Sequence, residues 1–236
     1  MVNQLFIEEK PDVSLKDVIF DEVRKEQLNN LIKEYTHFEI LDKYNLPINN
    51  KVLFFGKTGC GKTMTAKALA NHLQKKLISV NLGTIVSSKL GETSKNLTSI
   101  FKKASREKSI LFLDEFDSLG KIRDYDRDSG EMKRVVNTLL QLIDYLPNDT
   151  LLICATNQKS MIDEALLRRF ELKMEFQFPS DDLLNDYYNQ LLKPFPEQFT
   201  AIEKTYRISF AEAKNNTLHQ IKQNIIRSEE EKFQTV

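Results

Sequence analysis

The chain is poor in cysteine and histidine, and neither sign of charge prevails. Two cysteines in 236 residues, Cys60 and Cys154, exclude a disulfide framework and suit a reducing compartment. The three histidines, His37, His72 and His219, are scattered, so no cluster has metal-ligand spacing. Lysine plus arginine and aspartate plus glutamate both number 34, so no whole-chain positive field exists to hold nucleic acid by counterion release. A local basic patch stays compatible with that balance. No apolar run is long enough to cross a bilayer, and the start, MVNQLFIEEK, lacks a signal-peptide core. The expected location is cytoplasmic, with no membrane partner. There is no internal repeat and no low-complexity tract. A hydrophobic content of 41% suffices for one sizeable core and a smaller satellite.

The octapeptide GKTGCGKT, Gly56 to Thr63, follows the apolar run Val52 to Phe55 and precedes a helical pattern of Ala66, Leu69, Ala70 and Leu73. Strand, glycine-rich loop and helix in this order predict a phosphate-binding P-loop. Gly56, Gly59 and Gly61 permit backbone angles that turn successive N–H groups toward phosphate oxygens. Lys62 then reaches the β- and γ-phosphates, Thr63 offers a hydroxyl to Mg2+, and the helix start adds its positive end. The expected ATP contacts run through Gly56, Thr58, Gly59, Cys60, Gly61, Lys62, Thr63 and Met64. Cys60 reads better as a small filler than as an oxidation switch, although a thiol at a helix N-terminus can have a lowered pKa.

A second signature is ILFLDEFD, Ile110 to Asp117: a buried strand with two carboxylates emerging at its end. Asp114 is expected to join Thr63 in the magnesium shell, and Glu115 to deprotonate the attacking water. Asn157, after the apolar strand LLICAT, is expected at the same edge, positioning that water. DEALLRRF, Asp163 to Phe170, places Arg168 and Arg169 at the end of a short helix. Such arginines are often dipole partners or surface charges. An arginine finger inserted from a neighbouring subunit is the competing role, worth about 10³ to 10⁵ in rate.

Between and around these motifs the pattern alternates. Strands are predicted at Val52 to Phe55, Leu77 to Leu82, Ile110 to Leu113, Leu151 to Ala155 and Leu172 to Phe178, with helices at Ser94 to Glu107 and Glu131 to Tyr145. That alternation implies a parallel sheet with helices on both faces. Residues 1–50 read as an amphipathic helical lead-in with a stripe of Val23, Leu28, Leu31, Ile32 and Tyr35. Residues 51–179 read as the α/β core. Residues 180–236 read as a small all-α lid, with Asp181 capping a helix that carries Leu184, Tyr187, Tyr188 and Leu191. The mixed-charge stretch Lys121 to Arg134 reads as a solvated loop entering a helix.

The order of motifs from Asp17 to Glu212 resembles the AAA+ ATPases, in the branch of the proteasomal ATPases, katanin and spastin. The resemblance implies a five-stranded parallel sheet of order 5-1-4-3-2, a helical lid, and nucleotide sites shared between subunits of a homo-oligomer, hexameric in the family. It assigns Asn157 to sensor 1, Arg168 and Arg169 to the finger, with Arg169 favoured, and Asp144 to the intersubunit signalling segment. Ile19 and Phe20 would lie nearest the adenine, and Ser209 to Glu212 would close over it. Two departures stand out. Lys89, in a segment resembling the first pore loop, replaces the aromatic of protein-threading members, and a hydrated lysine grips an extended polypeptide less well. The two arginines are adjacent where relatives separate theirs. A core with no substrate-recruiting domain before it is the expectation. The implied function is ATP hydrolysis that remodels or regulates a protein partner. A nucleic-acid-associated loader or transposition regulator and an ATP-gated scaffold with little turnover are the alternatives.

Overall fold

The computed structural model describes residues 5–87, 90–121 and 129–234; Lys89 and most of the mixed-charge stretch before Ser129 lie outside them. In chain order the described elements are strand β1 (Ile7–Glu9), helices α1 (Glu22–Thr36) and α2 (Phe38–Lys43), β2 (Lys51–Gly56), α3 (Lys62–His72), β3 (Leu77–Asn81), α4 (Leu82–Ser87), α5 (Leu90–Arg106), β4 (Ile110–Asp114), α6 (Ser118–Lys121) and α7 (Ser129–Asp144). They continue with β5 (Leu151–Thr156), α8 (Glu164–Leu167), β6 (Leu172–Phe176), α9 (Asp181–Leu192) and α10 (Phe210–Gln234). Short 3-10 turns join several of these.

The sheet runs β1-β3-β4-β5-β2-β6. Its five parallel strands, counted from β2 along the chain, follow the expected order 5-1-4-3-2. The sheet nevertheless has six strands, because β1 adds an antiparallel edge with Ile7 opposite Ser79 and Glu9 opposite Leu77. The stretch before Asn50 is thus not wholly helical. Parallel strands covered on both faces bury side chains of both parities. Leu53, Leu111, Leu113, Leu152 and Cys154 join one cluster with Leu97, Ile100 and Phe101 of α5 and Val135, Leu139 and Ile143 of α7. Val52, Phe54, Phe112 and Ile153, of the other parity, are equally buried.

Two helix expectations need correction. In α1 the buried positions are Arg24, Leu28 and Leu31, whereas Val23 is 67% exposed. The guanidinium of Arg24 lies 5.4 Å from the Phe176 ring centroid, and that aromatic face favours a cation at this buried position. Helix α9 is capped by the Ser180 hydroxyl, which accepts from the Leu183 N–H at 3.3 Å; Asp181 stands in the first turn instead.

By contact the described chain forms two units: Met1–Val18, Glu22–Gly56 and Lys62–Phe176 in one, Ile19–Asp21, Lys57–Gly61 and Gln177–Val236 in the other. The smaller has its own core of Leu184, Tyr188, Phe210 and Ala213, against which Ile19, Tyr187, Ile202 and Ile208 pack.

Edge strand β1 is fastened by charge. Glu8 pairs with Lys76 at 2.9 Å and Lys103 at 2.8 Å, and both lysines also reach Glu107, at 3.0 and 2.9 Å. A second pair, Glu9 with Lys67 of α3, spans 2.9 Å. The hydrogen bonds from Lys103 and then Lys76 hold the Glu107 carboxyl down at about 2, below its ordinary 4.5, and lower that of Glu8. A depressed carboxyl stabilises the fold above its ordinary value and ceases to do so as pH falls through its folded one. Hydrogen exchange at the amides of Ile7–Glu9, corrected for intrinsic rate, should therefore accelerate between about pH 4.5 and pH 2 while Leu111–Leu113 stays protected. Equal acceleration of both strands would remove the network's role. A stronger constraint sits at Gly56, whose φ is 128° and whose added Cβ would lie 2.2 Å from the Phe176 carbonyl oxygen. Gly56→Ala should lower stability by about 3 kcal/mol in urea unfolding.

Candidate active site

The C-terminal ends of parallel strands collect groups that their apolar interiors cannot accommodate. Lys62, the first residue of α3, is only 8% exposed. Its ammonium donates to the Gly56 carbonyl at 2.9 Å and to the Asn157 side-chain oxygen at 2.8 Å, which satisfies a cation the surroundings would otherwise not tolerate. Because β5 lies beside β2, Asn157 just past β5 meets the residue just past the loop. At the neighbouring strand end the Thr63 hydroxyl and Asp114 Oδ2 stand 3.5 Å apart, and Asp114 Oδ1 accepts from the Glu115 N–H at 2.9 Å. Glu115 is exposed and has φ +53°, an uncommon backbone conformation for its type. Its carboxylate leans over the start of α4: a Cβ on Gly83 would lie 2.5 Å from Glu115 Oε2.

Asp117 has a role that the sequence pattern does not reveal. It is 2% exposed, accepts from the Thr156 hydroxyl at 2.9 Å and the Asn157 N–H at 3.4 Å, and so fixes the strand end that presents Asn157. Its signal was its place three residues after Asp114 in an acidic turn, which reads equally well as a helix start.

In the smaller unit, the Ala211 N–H donates to the Gly59 carbonyl at 3.1 Å, and a Cβ on Gly59 would lie 2.7 Å from the Ser209 hydroxyl. Glycine is required there by close approach as well as by its φ of +74°. Lys57, Thr58, Gly59, Phe178, Ser209, Ala211, Glu212 and Asn215 line a 430 Å³ cavity. The Ser209 hydroxyl and N–H both donate to Glu212 Oε2, at 2.7 and 2.8 Å, and lower the Glu212 carboxyl. Ile19 packs on this unit's core and Phe20 is half-buried beside it in the chain. Cys60 is buried, with its thiol toward the Thr58 carbonyl at 3.7 Å, while Met64 is 45% exposed.

The arginines stand apart from these groups. Arg168 bonds Glu164 at 2.6 Å, and both side chains are more than two-thirds exposed. Arg169 makes a bidentate pair with Asp144, Nε to Oδ1 at 3.1 Å and Nη2 to Oδ2 at 3.2 Å, and also donates to the Ala165 carbonyl. Neither forms a hydrogen bond with Lys62, Thr63, Asp114 or Asn157 of its own chain.

The residues fit a magnesium nucleotide. A hydroxyl and a carboxylate are hard oxygen donors of the kind Mg2+ takes, and Lys62 is a buried cation at the start of α3, beside the glycine-rich loop. Thr63 and Asp114 would hold the ion, which would neutralise charge on the phosphates. Glu115 supplies a carboxylate able to take a proton from water.

Comparison with known proteins agrees with this chemistry. A family model, "ATPase family associated with various cellular activities (AAA)", matches residues 52–178. An uncharacterized AAA family ATPase of Sinorhizobium fredii is 33% identical over 220 residues, covering 92% of this chain and 67% of that protein. A proteasome-associated ATPase of Mycobacterium tuberculosis is 31% identical over 219 residues, covering 82% of this chain but only 36% of that longer protein. Among solved structures, the AAA domain of FIGL-1 superposes with a TM-score of 0.71 over 90% of this chain and 72% of that one; at 22% identity this likeness speaks to the fold. With the family model matching over half its length and a one-third-identical relative aligned nearly end to end with it, the chain belongs to the AAA ATPases.

Proposed function

We propose that this ATPase works as a ring of identical chains with active sites shared across subunit boundaries, coupling ATP hydrolysis to remodelling or regulation of a protein partner. The observation that carries the reading is the Lys62 ammonium held between Gly56 and Asn157, beside Thr63 and Asp114, with a free carboxylate next in the chain. On this reading Lys62 takes the β- and γ-phosphates, Thr63 and Asp114 take Mg2+, Glu115 is the general base, and Asn157 orients water. Thr58 and the loop glycines donate backbone N–H groups, and Ile19 and Phe20 border the adenine. Residues 51–179 act as the core, 1–50 lead into it, and 180–236 serve as the lid. The ring is proposed as a hexamer acting in the cytoplasm. Shared sites are supported by two arginines near the end of α8 that leave their own chain's Lys62 and Asp114 untouched.

One observation favours the nucleic-acid reading. Ser94, Lys95, Thr98, Ser99, Lys102, Thr138 and Gln141 line a 570 Å³ groove between α5 and α7 that has no carboxylate in its lining. Lys95 and Lys102 form no ion pair among the described residues, unlike Lys103, which Glu8 and Glu107 neutralise. The protein-remodelling reading stands first because the net charge is zero.

Glu115→Gln should lower the hydrolysis rate by about 10² to 10⁴ while ATP binding is retained. The parent's rate per chain should rise with protein concentration as rings assemble. A rate flat from dilute to concentrated protein sinks the shared-site mechanism, and normal turnover by the variant removes Glu115 as base. A pull-down with Glu115→Gln in ATP should retain a protein. Single-stranded DNA binding with a steep salt slope would instead move the second reading to the front.

A further inference from the structure

Glu115 stands in a left-handed backbone conformation, φ +53°, which a glutamate keeps only where its surroundings impose it. The bonds of the turn that follows show how it is imposed. The regular pairing of β4 with β5 runs to Leu113 opposite Cys154, and beyond it the Phe116 N–H reaches across to the Ala155 carbonyl at 2.8 Å. Ser118 closes the turn on its own side, donating its N–H to the Glu115 carbonyl at 2.9 Å. Between these two bonds lies the Asp117 carboxylate, 2% exposed, one oxygen of which accepts from the Thr156 hydroxyl at 2.9 Å and from the Asn157 N–H at 3.4 Å. The same Thr156 hydroxyl accepts from the Gln158 N–H at 3.0 Å, so it is bonded at once to the turn after β4 and to the turn after β5. Glu115 lies two residues before Asp117, and Asn157 one residue after Thr156. Two apolar side chains would join these strand ends without the cost of burying a carboxylate, but they would not set the direction of one turn against the other.

We infer that Asp117 and Thr156 are positioning residues for ATP hydrolysis, whose buried hydrogen bond keeps Glu115 in its left-handed conformation and fixes its place relative to Asn157. The inference rests on the reading of Glu115 as general base and Asn157 as the group that orients water. A base and an amide carried on separate strands can act on one water only if their separation is held within a fraction of an ångström. The single backbone bond from Phe116 to Ala155 leaves the turn able to pivot about it. The Asp117 carboxylate adds two more points of attachment, one to a side chain and one to the backbone at the end of β5. Without them the backbone of Glu115 relaxes toward the ordinary regions of φ, and its carboxylate swings with it. On the far side Asn157 is held by Lys62, so the link runs from the loop lysine through Asn157 and Asp117 to the base.

The test follows single turnover of ATP with the chain in excess, expressed per bound nucleotide so that a partly unfolded preparation does not count as a slow one. Thr156→Val, which keeps the shape and removes the hydroxyl, should slow hydrolysis about 10- to 100-fold while ATP affinity stays within about twofold. Thr156→Ser, which restores the hydroxyl, should recover most of that loss. In a Glu115→Gln background Thr156→Val should add less than about threefold, because the group it misplaces is already gone. Turnover by Thr156→Val at the parent rate, with Glu115→Gln slow, overturns the positioning role and leaves the base reading standing. An equal further loss in the Glu115→Gln background overturns it too, since the pair would then act without Glu115. Weaker ATP binding with turnover unchanged also overturns it, and assigns the pair to Lys62 and phosphate binding instead. Normal turnover by Glu115→Gln alone removes the base, and the inference falls with it.

Discussion

A buried cation has to be answered by nearby oxygens, and the answer given to Lys62 organises the site. Its ammonium is met by one carbonyl from the end of β2 and one amide oxygen from beyond β5, which are adjacent strands of the sheet. Both of these oxygens belong to neutral dipoles. An arriving phosphate would find a cation already desolvated and already aimed, which costs little reorganisation when binding occurs. The strand order serves the contact: because β5 is paired with β2, Asn157 lies beside the residue that follows the loop. Asp117 extends the arrangement one layer inward, tying Thr156 and Asn157 to the turn after β4.

The parts of the fold that were legible in the sequence are those where burial alone decides. Val52 to Phe55, Ile110 to Leu113 and Leu151 to Ala155 are apolar runs, and each forms a strand. Where side-chain partnership decides, the pattern misled. Ile7–Glu9 carries two glutamates and leaves Ile7 63% exposed, so nothing in its hydropathy marks a strand; Lys76, Lys103 and Lys67 make it one. Arg24 takes the buried place on α1 that the pattern assigns to Val23, and one group it meets there is Phe176, more than a hundred residues away. The positions of the candidate site residues were legible for a related reason: Asp114, Glu115 and Asn157 sit at strand ends and Lys62 and Thr63 at the helix start after the glycine-rich loop, where spacing from an apolar run fixes position. Arg168 and Arg169 carry no such ruler, and only the bonds to Asp144 and Glu164 tell them apart.

The smaller unit shows why a glycine-rich loop and a helical segment far along the chain group together. Residues Lys57–Gly61 group with Gln177–Val236, even though Gly56 and Lys62 on either side group with the sheet. The join is a backbone hydrogen bond, Ala211 to Gly59, with Ser209 so close that any side chain at position 59 would displace it. The N-terminal turn of α10 is in turn set by Ser209 and Glu212, which satisfy each other's donors and acceptors in a capping arrangement. Any change in the backbone of the loop must therefore be felt at the start of α10, a helix of 25 residues. A group that altered the Gly59 carbonyl or the N–H groups beside it would act through one peptide bond on the longest helix of the described chain. The loop is thus the anchor of that helix as well as the proposed binding element, and its glycine at 59 answers to the anchoring duty directly.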